Sequence, residues 1–368
     1  MASENRLEEA AARGQYQRFA APLPLTAYPP TSSFQANGFR ANRENPMIAR
    51  RTFIKGASAL AAAGSGLSVQ PGRALEAPNS SGSAPAKLKA PPGACDCHHH
   101  IYDPARFPPS RPEANQVPNA RLEDYRLLQR RIGTSRNIVV TPAPYPATVG
   151  DNAATLDAVK QLGPDARGVA IVYPDITDAE LKTLDAGGIR GIRFSLTSGR
   201  PGAASTASPE VIEALSKRVN ALGWHVQFNT TAEQIVASQD LLNRLASPIV
   251  FDHMGHIPQP AGIDHPAFAV IRALIDKGRT WVKLSVTYDS SKDGPPGYAD
   301  VGRLAQAYVK AAPERLVWGS NWPHPSETNK PDDAMLFDLV AQWAPDEATR
   351  HRILVQNPEA LYGFGKAA

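Results

Sequence analysis

From residue 95 onward, short apolar runs rich in β-branched residues alternate with longer segments whose apolar positions recur at helical spacing. The apolar runs predict eight strands, at 95–101, 137–141, 168–173, 191–196, 225–229, 249–253, 281–286 and 316–320. A continuous run such as 168–172 (Gly-Val-Ala-Ile-Val) is typical of a strand buried on both faces, as in a parallel sheet.

Two of the segments between these strands begin with helix-capping residues. Thr177 and Glu180 have the spacing of a capping box, and Ser208 is an N-cap candidate directly before Pro209. Eight strands with seven helical segments between them predict an α/β fold, the (β/α)8 barrel of TIM type. A doubly wound sheet is the alternative, but no Gly-x-Gly-x-x-Gly turn follows the first strand.

The chain before residue 75 has a different character. Residues 50–55 (Arg-Arg-Thr-Phe-Ile-Lys) precede an uncharged run of small and apolar residues, which resembles a twin-arginine export signal. That run is too short for a permanent membrane anchor, and Gly72 and Ala74 supply small residues at a cleavage point. We therefore expect export by the twin-arginine machinery and a soluble mature protein in the periplasm.

This interpretation divides the chain into four segments. Residues 1–46 are predicted to be a non-native or disordered extension, because Met47 is a suitable start codon just before the twin arginines. The signal peptide covers 47–74, and a polar linker rich in Pro, Gly and Ser covers 75–93. Residues 94–368 form the single catalytic barrel.

The net charge of +4 arises outside the predicted barrel. Residues 1–74 contain nine basic and four acidic residues, so the remaining 30 basic and 31 acidic residues give a net charge of −1. A barrel without excess positive charge gives no electrostatic reason to bind DNA or RNA, and we predict no nucleic-acid partner.

In a (β/α)8 barrel the catalytic groups lie at the C-terminal ends of the strands. The first predicted strand ends in three histidines, 98–100. Alternate residues on a strand share a face, so His98 and His100 project together while His99 points away. Two imidazoles at this spacing predict half of a divalent-metal site. The alternative is a histidine-rich tract with no ligand role.

Other strand ends also carry histidines. His253, at the end of the sixth strand, is predicted to join the same site, and a hydrogen-bonded core imidazole is the alternative. His256 lies beyond that strand and is predicted to be a solvated loop residue, whereas His225 begins the fifth strand and is predicted to be structural. The eighth strand ends at 318–324 (Trp-Gly-Ser-Asn-Trp-Pro-His), which predicts a pocket wall or aromatic packing.

Two cations interrupt apolar strands. Arg193 lies near the end of the fourth strand and Lys283 lies in the seventh. A charge in such a strand needs a partner or a ligand, and arginine suits a carboxylate. Each residue is therefore predicted to be either a structural ion pair or a clamp for an anionic substrate.

Four motifs together resemble the amidohydrolase superfamily. They are Asp-Cys-His-His-His at 96–100, Asp-His-Met-Gly at 252–255, Trp-Gly-Ser-Asn-Trp-Pro-His at 318–324 and Asn-Pro-Glu-Ala-Leu-Tyr-Gly-Phe at 357–364. More narrowly, they resemble the branch that contains 2-pyrone-4,6-dicarboxylate hydrolases, 4-sulfomuconolactone hydrolases and D-galactarolactone isomerases. The resemblance covers residues 94–365.

One position departs from the superfamily pattern. Metal-using members commonly carry an aspartate at the end of the eighth strand, as metal ligand and general base, where this chain has Asn321. An amide cannot accept a proton at neutral pH and is a poor metal ligand. The galactarolactone isomerase type resembles this chain in having asparagine there. A metal-dependent and a metal-free mechanism therefore both stay open.

The resemblance implies a hydrolase that opens a small anionic lactone, of muconolactone or pyrone-dicarboxylate type, in aromatic or sugar-acid catabolism. A divalent ion, zinc in preference to manganese, is expected on His98 and His100, with His253 as third ligand or as acid and base. Asn321 is expected to donate a hydrogen bond to the developing oxyanion. The residues expected to hold the carboxylate or sulfonate of the substrate are Arg193, Lys283, Tyr288 and His324.

Two further hypotheses accompany this one. The first is a metal-free isomerase of sugar-acid lactones, in which His253 moves protons and Asn321 orients a substrate hydroxyl as internal nucleophile. The second is an exported barrel that binds an organic acid without catalysis. No sequence feature specifies an oligomeric state.

Overall fold

The chain folds as a parallel eight-stranded barrel. The computed structural model describes residues 76–109, 117–142, 152–195 and 208–367. All eight strands are parallel and are hydrogen-bonded in sequence order. They are β1 (Cys95–His99), β2 (Arg136–Val140), β3 (Ala166–Ala170), β4 (Ile189–Ser195), β5 (His225–Asn229), β6 (Ile249–Phe251), β7 (Thr280–Leu284) and β8 (Leu316–Trp318).

Backbone hydrogen bonds join the segment after β8 to the end of β1. The Asn321 N–H donates to the carbonyl oxygen of His98 at 2.7 Å, and the His100 N–H donates to the carbonyl oxygen of Trp322 at 2.8 Å. These contacts bring the first and last strands together at their C-terminal ends, and the predicted (β/α)8 architecture is confirmed.

Helices connect consecutive strands and follow the last one. They are α1 (Leu122–Ile132), α2 (Ala153–Leu162), α3 (Asp178–Ala186), α4 (Pro209–Asn220), α5 (Ala232–Ala237), α6 (Gln239–Arg244), α7 (Pro266–Asp276), α8 (Thr287–Ser290), α9 (Ala299–Ala311), α10 (Asp333–Trp343), α11 (Glu347–His351) and α12 (Asn357–Tyr362). Both predicted helix starts are confirmed. Thr177 accepts a hydrogen bond from the backbone of Glu180, and Ser208 accepts one from the backbone of Val211.

Several predicted strands extend too far at their C-terminal ends. The prediction for the sixth strand reached residue 253, whereas β6 ends at Phe251. His253 and Met254 adopt φ angles of 52° and 54°, in the left-handed region, and this conformation cannot continue a strand. The sharp turn places His253 at the barrel mouth instead of in the sheet.

The inner face of the barrel changes from apolar to charged towards the C-terminal ends of the strands. Val250 and Trp281 belong to an apolar cluster that also contains Tyr362 from the last helix. Two residues after Val250 comes Asp252, directly past the end of β6, and two residues after Trp281 comes Lys283 on β7; strand alternation places both on the same inner face. The charged layer therefore lies directly above an apolar one, at the end where barrel enzymes carry their sites.

The segment predicted to be a linker lies along the barrel where the structure describes it, from residue 76 onward. Arg131 donates to the carbonyl oxygen of Ala84 at 2.8 Å, and the backbone N–H of Leu88 donates to Asp338 at 2.8 Å. The predicted extension and signal peptide lie outside the described residues. Within the described ranges, every helix is too short or too polar to span a bilayer.

Candidate active site at the barrel mouth

A single buried carboxylate organises the charged layer. Arg193 donates from Nε to Oδ2 of Asp252 at 2.9 Å, and Gln227 donates from Nε2 to the same oxygen at 3.1 Å. On the other side, Nζ of Lys283 lies 3.6 Å from Oδ1, and Nδ1 of His98 lies 3.2 Å from it. Burial alone would raise the pKa of Asp252, but its contact with His98 and the charges of Arg193 and Lys283 hold that pKa well below its usual range.

Arg193 and Lys283, predicted to be ion pairs or substrate clamps, both have Asp252 as an ion-pair partner. The Lys283 side chain has no exposed surface, and its ammonium also donates to Oε1 of Gln227 at 2.8 Å. Burial lowers its pKa from the usual range. Only 6% of the Arg193 side chain is exposed. A clamp role for either residue stays a prediction.

The two histidines of the first strand meet, as predicted. Nε2 of His98 lies 3.3 Å from Nε2 of His100, whereas His99 stacks on Tyr125 at a centroid distance of 3.6 Å. The Nδ1 atom of His100 lies 2.7 Å from the carbonyl oxygen of Val140, which can only accept a hydrogen bond. The proton of His100 is therefore on Nδ1, and its Nε2 presents a lone pair.

Burial keeps the imidazoles of this cluster neutral at pH 7. It lowers the pKa of His100 to about 3, helped by the charge of Arg193. Burial, together with the charge of Lys283, also holds the pKa of His98 well below its ordinary value. Neutral imidazole is the form that binds a metal ion or accepts a proton.

His253, in the turn that follows β6, completes the cluster. Its ring centroid lies 4.8 Å from that of His98, and its Nδ1 lies 2.8 Å from Oγ of Ser285. Burial holds its pKa well below the ordinary value. The turn that carries it contains three left-handed non-glycine residues, His253, Met254 and His256, and such backbone strain is found most often at functional sites.

The donor set at the mouth fits a divalent cation. His98, Asp252 and His253 each offer a ligand atom, and these atoms lie within 4.8 Å of one another. Among the described residues, Oδ1 of Asp252 is buried without a hydrogen-bond partner, although charged groups surround it. Imidazole nitrogens with a carboxylate oxygen suit zinc. His100, predicted to be a ligand, lies beside this set through its contact with His98.

A second hydrogen-bonded group lies at the end of β8. Asn321 donates from Nδ2 to the hydroxyl of Tyr288 at 2.8 Å, and that hydroxyl lies 2.9 Å from Nδ1 of His324. The opposite nitrogen of His324 lies 3.0 and 3.1 Å from the two oxygens of Asp333, the first residue of α10. Trp318 and Trp322 are buried in the apolar core, so the packing alternative holds for these two residues.

Two more histidines can now be placed. The prediction that His256 is a solvated loop residue is wrong. Its two ring nitrogens lie 3.0 Å from Asp289 and 2.8 Å from Asn229. His225, expected to be structural, is buried against Gly191 and Tyr362. A Cβ at Gly191 would overlap the His225 imidazole, which explains the glycine in the middle of β4.

Four residues of the site, Asp252, Gln227, Ser285 and Asp333, have no role predicted from the sequence. Asp252 was visible beside His253, and strand alternation alone would have placed it inside the barrel. Gln227 follows from the same alternation on β5. Ser285 follows from alternation on the seventh strand, two residues after Lys283, whereas Asp333 gave no comparable signal, because its role depends on the packing of α10 beside His324.

Known proteins resemble the whole barrel. The amidohydrolase family model matches residues 95–364. A 4-sulfomuconolactone hydrolase of Rhizobium radiobacter is 36% identical over 76% of this chain and 93% of its own length. A D-galactarolactone isomerase of Agrobacterium fabrum is 37% identical over 77% and 94%. A 2-pyrone-4,6-dicarboxylate hydrolase of Comamonas testosteroni is 34% identical over 75% and 92%.

Solved structures give the same result. The crystal structure of an Agrobacterium tumefaciens protein, without ligand, superposes with a TM-score of 0.68 at 34% identity, covering 77% of this chain and 100% of that one. The fold, the strand-end histidines and the sequence matches agree with one another. The chain therefore belongs to the amidohydrolase family.

Proposed function

We propose that this protein hydrolyses the ester bond of a small lactone that carries a carboxylate or sulfonate group. One observation carries the proposal: His98, Asp252 and His253 form a buried cluster at the barrel mouth, beside the cations Arg193 and Lys283. This arrangement combines acid–base groups with positive charge for an anion. Relatives named as hydrolases of 4-sulfomuconolactone and of 2-pyrone-4,6-dicarboxylate support the substrate class.

We further propose that the cluster holds a divalent ion, zinc in preference to manganese. His98 and Asp252 would hold it together with His100, whose Nε2 lies 3.3 Å from that of His98, and His253 stays free for proton transfer. When bound, such an ion polarises a carbonyl group and lowers the pKa of nearby water.

The side chains of the chain supply the proton transfers and the orientation. With Nδ1–H of His253 donating to Oγ of Ser285, Nε2 has a lone pair that can accept a proton from the attacking water and return it to the leaving alkoxide. Water adds to the acyl carbon, the ring C–O bond breaks, and the product is an open hydroxy acid. Arg193 and Lys283 attract the anionic group of the substrate through the field that they share with Asp252.

A second candidate function is isomerisation of a sugar-acid lactone. It is favoured by Asn321, which replaces the usual carboxylate base, and by a relative named as D-galactarolactone isomerase. In this scheme a hydroxyl of the substrate, not water, attacks the carbonyl. His253 serves the same proton transfers, and no water oxygen enters the product.

Export to the periplasm by the twin-arginine machinery is part of the same proposal, supported by the Arg50-Arg51 pair and the short apolar run after it. Replacing both arginines with lysine should leave the precursor in the cytoplasm. A reporter fusion of this variant that still reaches the periplasm at full yield would refute export by this route.

The function is tested with a lactone panel on the full-length chain, assayed with and without a chelator. The panel contains 4-sulfomuconolactone, 2-pyrone-4,6-dicarboxylate and D-galactarolactone, and acid release and ring isomers are both quantified. Release of an open acid, lost on chelation and restored by zinc, is the expected result. Binding of these anions without turnover would instead support the organic-acid-binding barrel.

A further inference from the structure

The hydrogen-bonded group after β8 determines where its protons lie. Asp333 and His324 have no exposed surface, and both carboxylate oxygens face Nε2 of His324. A carboxylate accepts hydrogen bonds, so Nε2 carries the proton of the imidazole. In the neutral imidazole the other nitrogen, Nδ1, has a lone pair, which accepts the hydroxyl proton of Tyr288 at 2.9 Å.

These proton positions also fix the amide of Asn321. Because Tyr288 gives its proton to His324, its oxygen is free to accept from Nδ2 of Asn321, which lies 2.8 Å away. Among the described residues, no side chain or backbone group donates to Oδ1 of Asn321. The backbone N–H of Asn321 donates to the carbonyl of His98, so the residue lies beside the histidine cluster.

We propose that His324 and Asp333 are positioning residues that act through Tyr288 to hold the Asn321 amide with Oδ1 as its uncommitted acceptor. This inference rests on the proposed lactone chemistry, and it assigns Asn321 the task of accepting a hydrogen bond from the hydroxyl that attacks, of water or of substrate. It replaces two expectations: that Asn321 donates to the oxyanion, and that His324 holds the substrate. Both ring nitrogens of His324 are engaged inside the protein.

The order of hydrogen-bond donors explains why Asp333, His324 and Tyr288 are all needed to orient the Asn321 amide. If Asp333 is replaced by asparagine, the new amide can donate to Nε2 of His324 and shift the imidazole proton to Nδ1. The Tyr288 oxygen must then accept a hydrogen bond from Nδ1–H of His324. The hydroxyl proton of Tyr288 turns towards the Asn321 amide, where it meets another donor, Nδ2. The amide loses its fixed orientation, although no group that touches the substrate has changed.

The decisive experiment is nitrogen-15 NMR of the full-length chain with labelled histidine, where the His324→Asn variant identifies the signals of His324. We expect the Nε2–H tautomer at pH 7 in the unmodified chain and the Nδ1–H tautomer in Asp333→Asn. An Nδ1–H tautomer or an imidazolium in the unmodified chain overturns the proposal. This readout does not require activity, so it separates a failure of the proton order from a failure of the proposed function.

Kinetics supply the second readout. Asp333→Asn should lower kcat about 10-fold with KM within about twofold, because misplaced groups slow the reaction without removing a substrate contact. His324→Asn, whose side-chain oxygen can accept from Tyr288 in place of Nδ1, should retain more activity than His324→Leu. Tyr288→Phe combined with His324→Leu should be no slower than Tyr288→Phe alone. A rise in KM with unchanged kcat in His324→Leu would show that His324 holds substrate, against the proposal.

Discussion

Nζ of Lys283 lies 3.3 Å from Nδ1 of His98, and neither side chain is exposed to solvent. An ammonium group therefore lies beside the donor set that fits a divalent ion, and it also faces Oδ1 of Asp252 at 3.6 Å. A bound ion and this ammonium would repel each other across a short, buried distance.

Removing the Lys283 charge should tighten metal binding. We expect Lys283→Met to lower the dissociation constant for zinc by about 10-fold or more, since one nearby positive charge is lost. Isothermal titration of the full-length chain measures the change. Lys217→Met, at a side chain that is 65% exposed on α4, is the matched control and should bind zinc as the unmodified chain does. Equal or weaker binding by Lys283→Met contradicts the proposed position of the ion.

Arg193 should govern the affinity for anionic substrates. Arg193→Met is expected to raise KM by about 10-fold, because a lost charged hydrogen bond costs roughly 1.5–3 kcal/mol. The same change also takes from Asp252 its 2.9 Å partner, so Arg193→Lys, which keeps the charge, should retain part of the affinity. An assay with a neutral lactone distinguishes direct binding of the anionic group by Arg193 from an effect of Arg193 through Asp252. Equal losses for neutral and anionic substrates would mean that Arg193 acts only through Asp252.

Asn321 is the position at which the reaction type should respond to mutation. Asn321→Ala should lower kcat by about 10²–10³-fold, the loss typical of one well-placed hydrogen-bonding group in an active site. Asn321→Asp adds a carboxylate that can accept the proton of water and bind a cation. We expect it to bind zinc more tightly and to keep or improve hydrolysis. Unchanged kcat and kcat/KM in Asn321→Ala would make the residue a packing element.

His225 should make stability depend on pH. Burial lowers its pKa to about 3, whereas a histidine in the unfolded chain titrates near 6.5. Between these values the unfolded chain binds the proton and the folded chain does not, so the free energy of unfolding rises with pH and falls on acidification. His225→Gln should reduce that slope by up to about 1.4 kcal/mol per pH unit between pH 4 and 6.

Urea unfolding of both chains at several pH values measures the effect of His225. The difference between them at pH 8, where neither the folded nor the unfolded state holds this proton, is the reference for the cost of the substitution itself. Parallel curves from pH 8 down to pH 4 would show that His225 does not remain neutral inside the barrel.

The sequence predicted the strand count and the histidine cluster because both follow from local periodicity. Alternation along a strand places His98 and His100 on one face, and the structure brings their nitrogens to 3.3 Å. The sequence also contains the information for Asp252, which is the first residue of the Asp-His-Met-Gly motif at 252–255. These features need no knowledge of how distant segments pack.

Other parts of the site depend on contacts between distant segments. The pairing of Arg193 with Asp252 joins residues 59 positions apart, and that of Lys283 with His98 joins residues 185 apart. The turn at His253 depends on left-handed backbone conformations at non-glycine residues, which no residue preference predicts. The partner of His324 follows only from the packing of α10 against the end of β8.

The source of the oxygen in the product distinguishes lactone hydrolysis from isomerisation. The full-length chain is incubated with each anionic lactone in water enriched in oxygen-18, and the product is analysed by mass spectrometry. Hydrolysis predicts an open hydroxy acid with one oxygen-18 atom in its new carboxylate, and the loss of this product in His253→Ala. A ring-isomerised lactone without oxygen-18, formed at the full rate of substrate loss, would contradict hydrolysis and establish the isomerase.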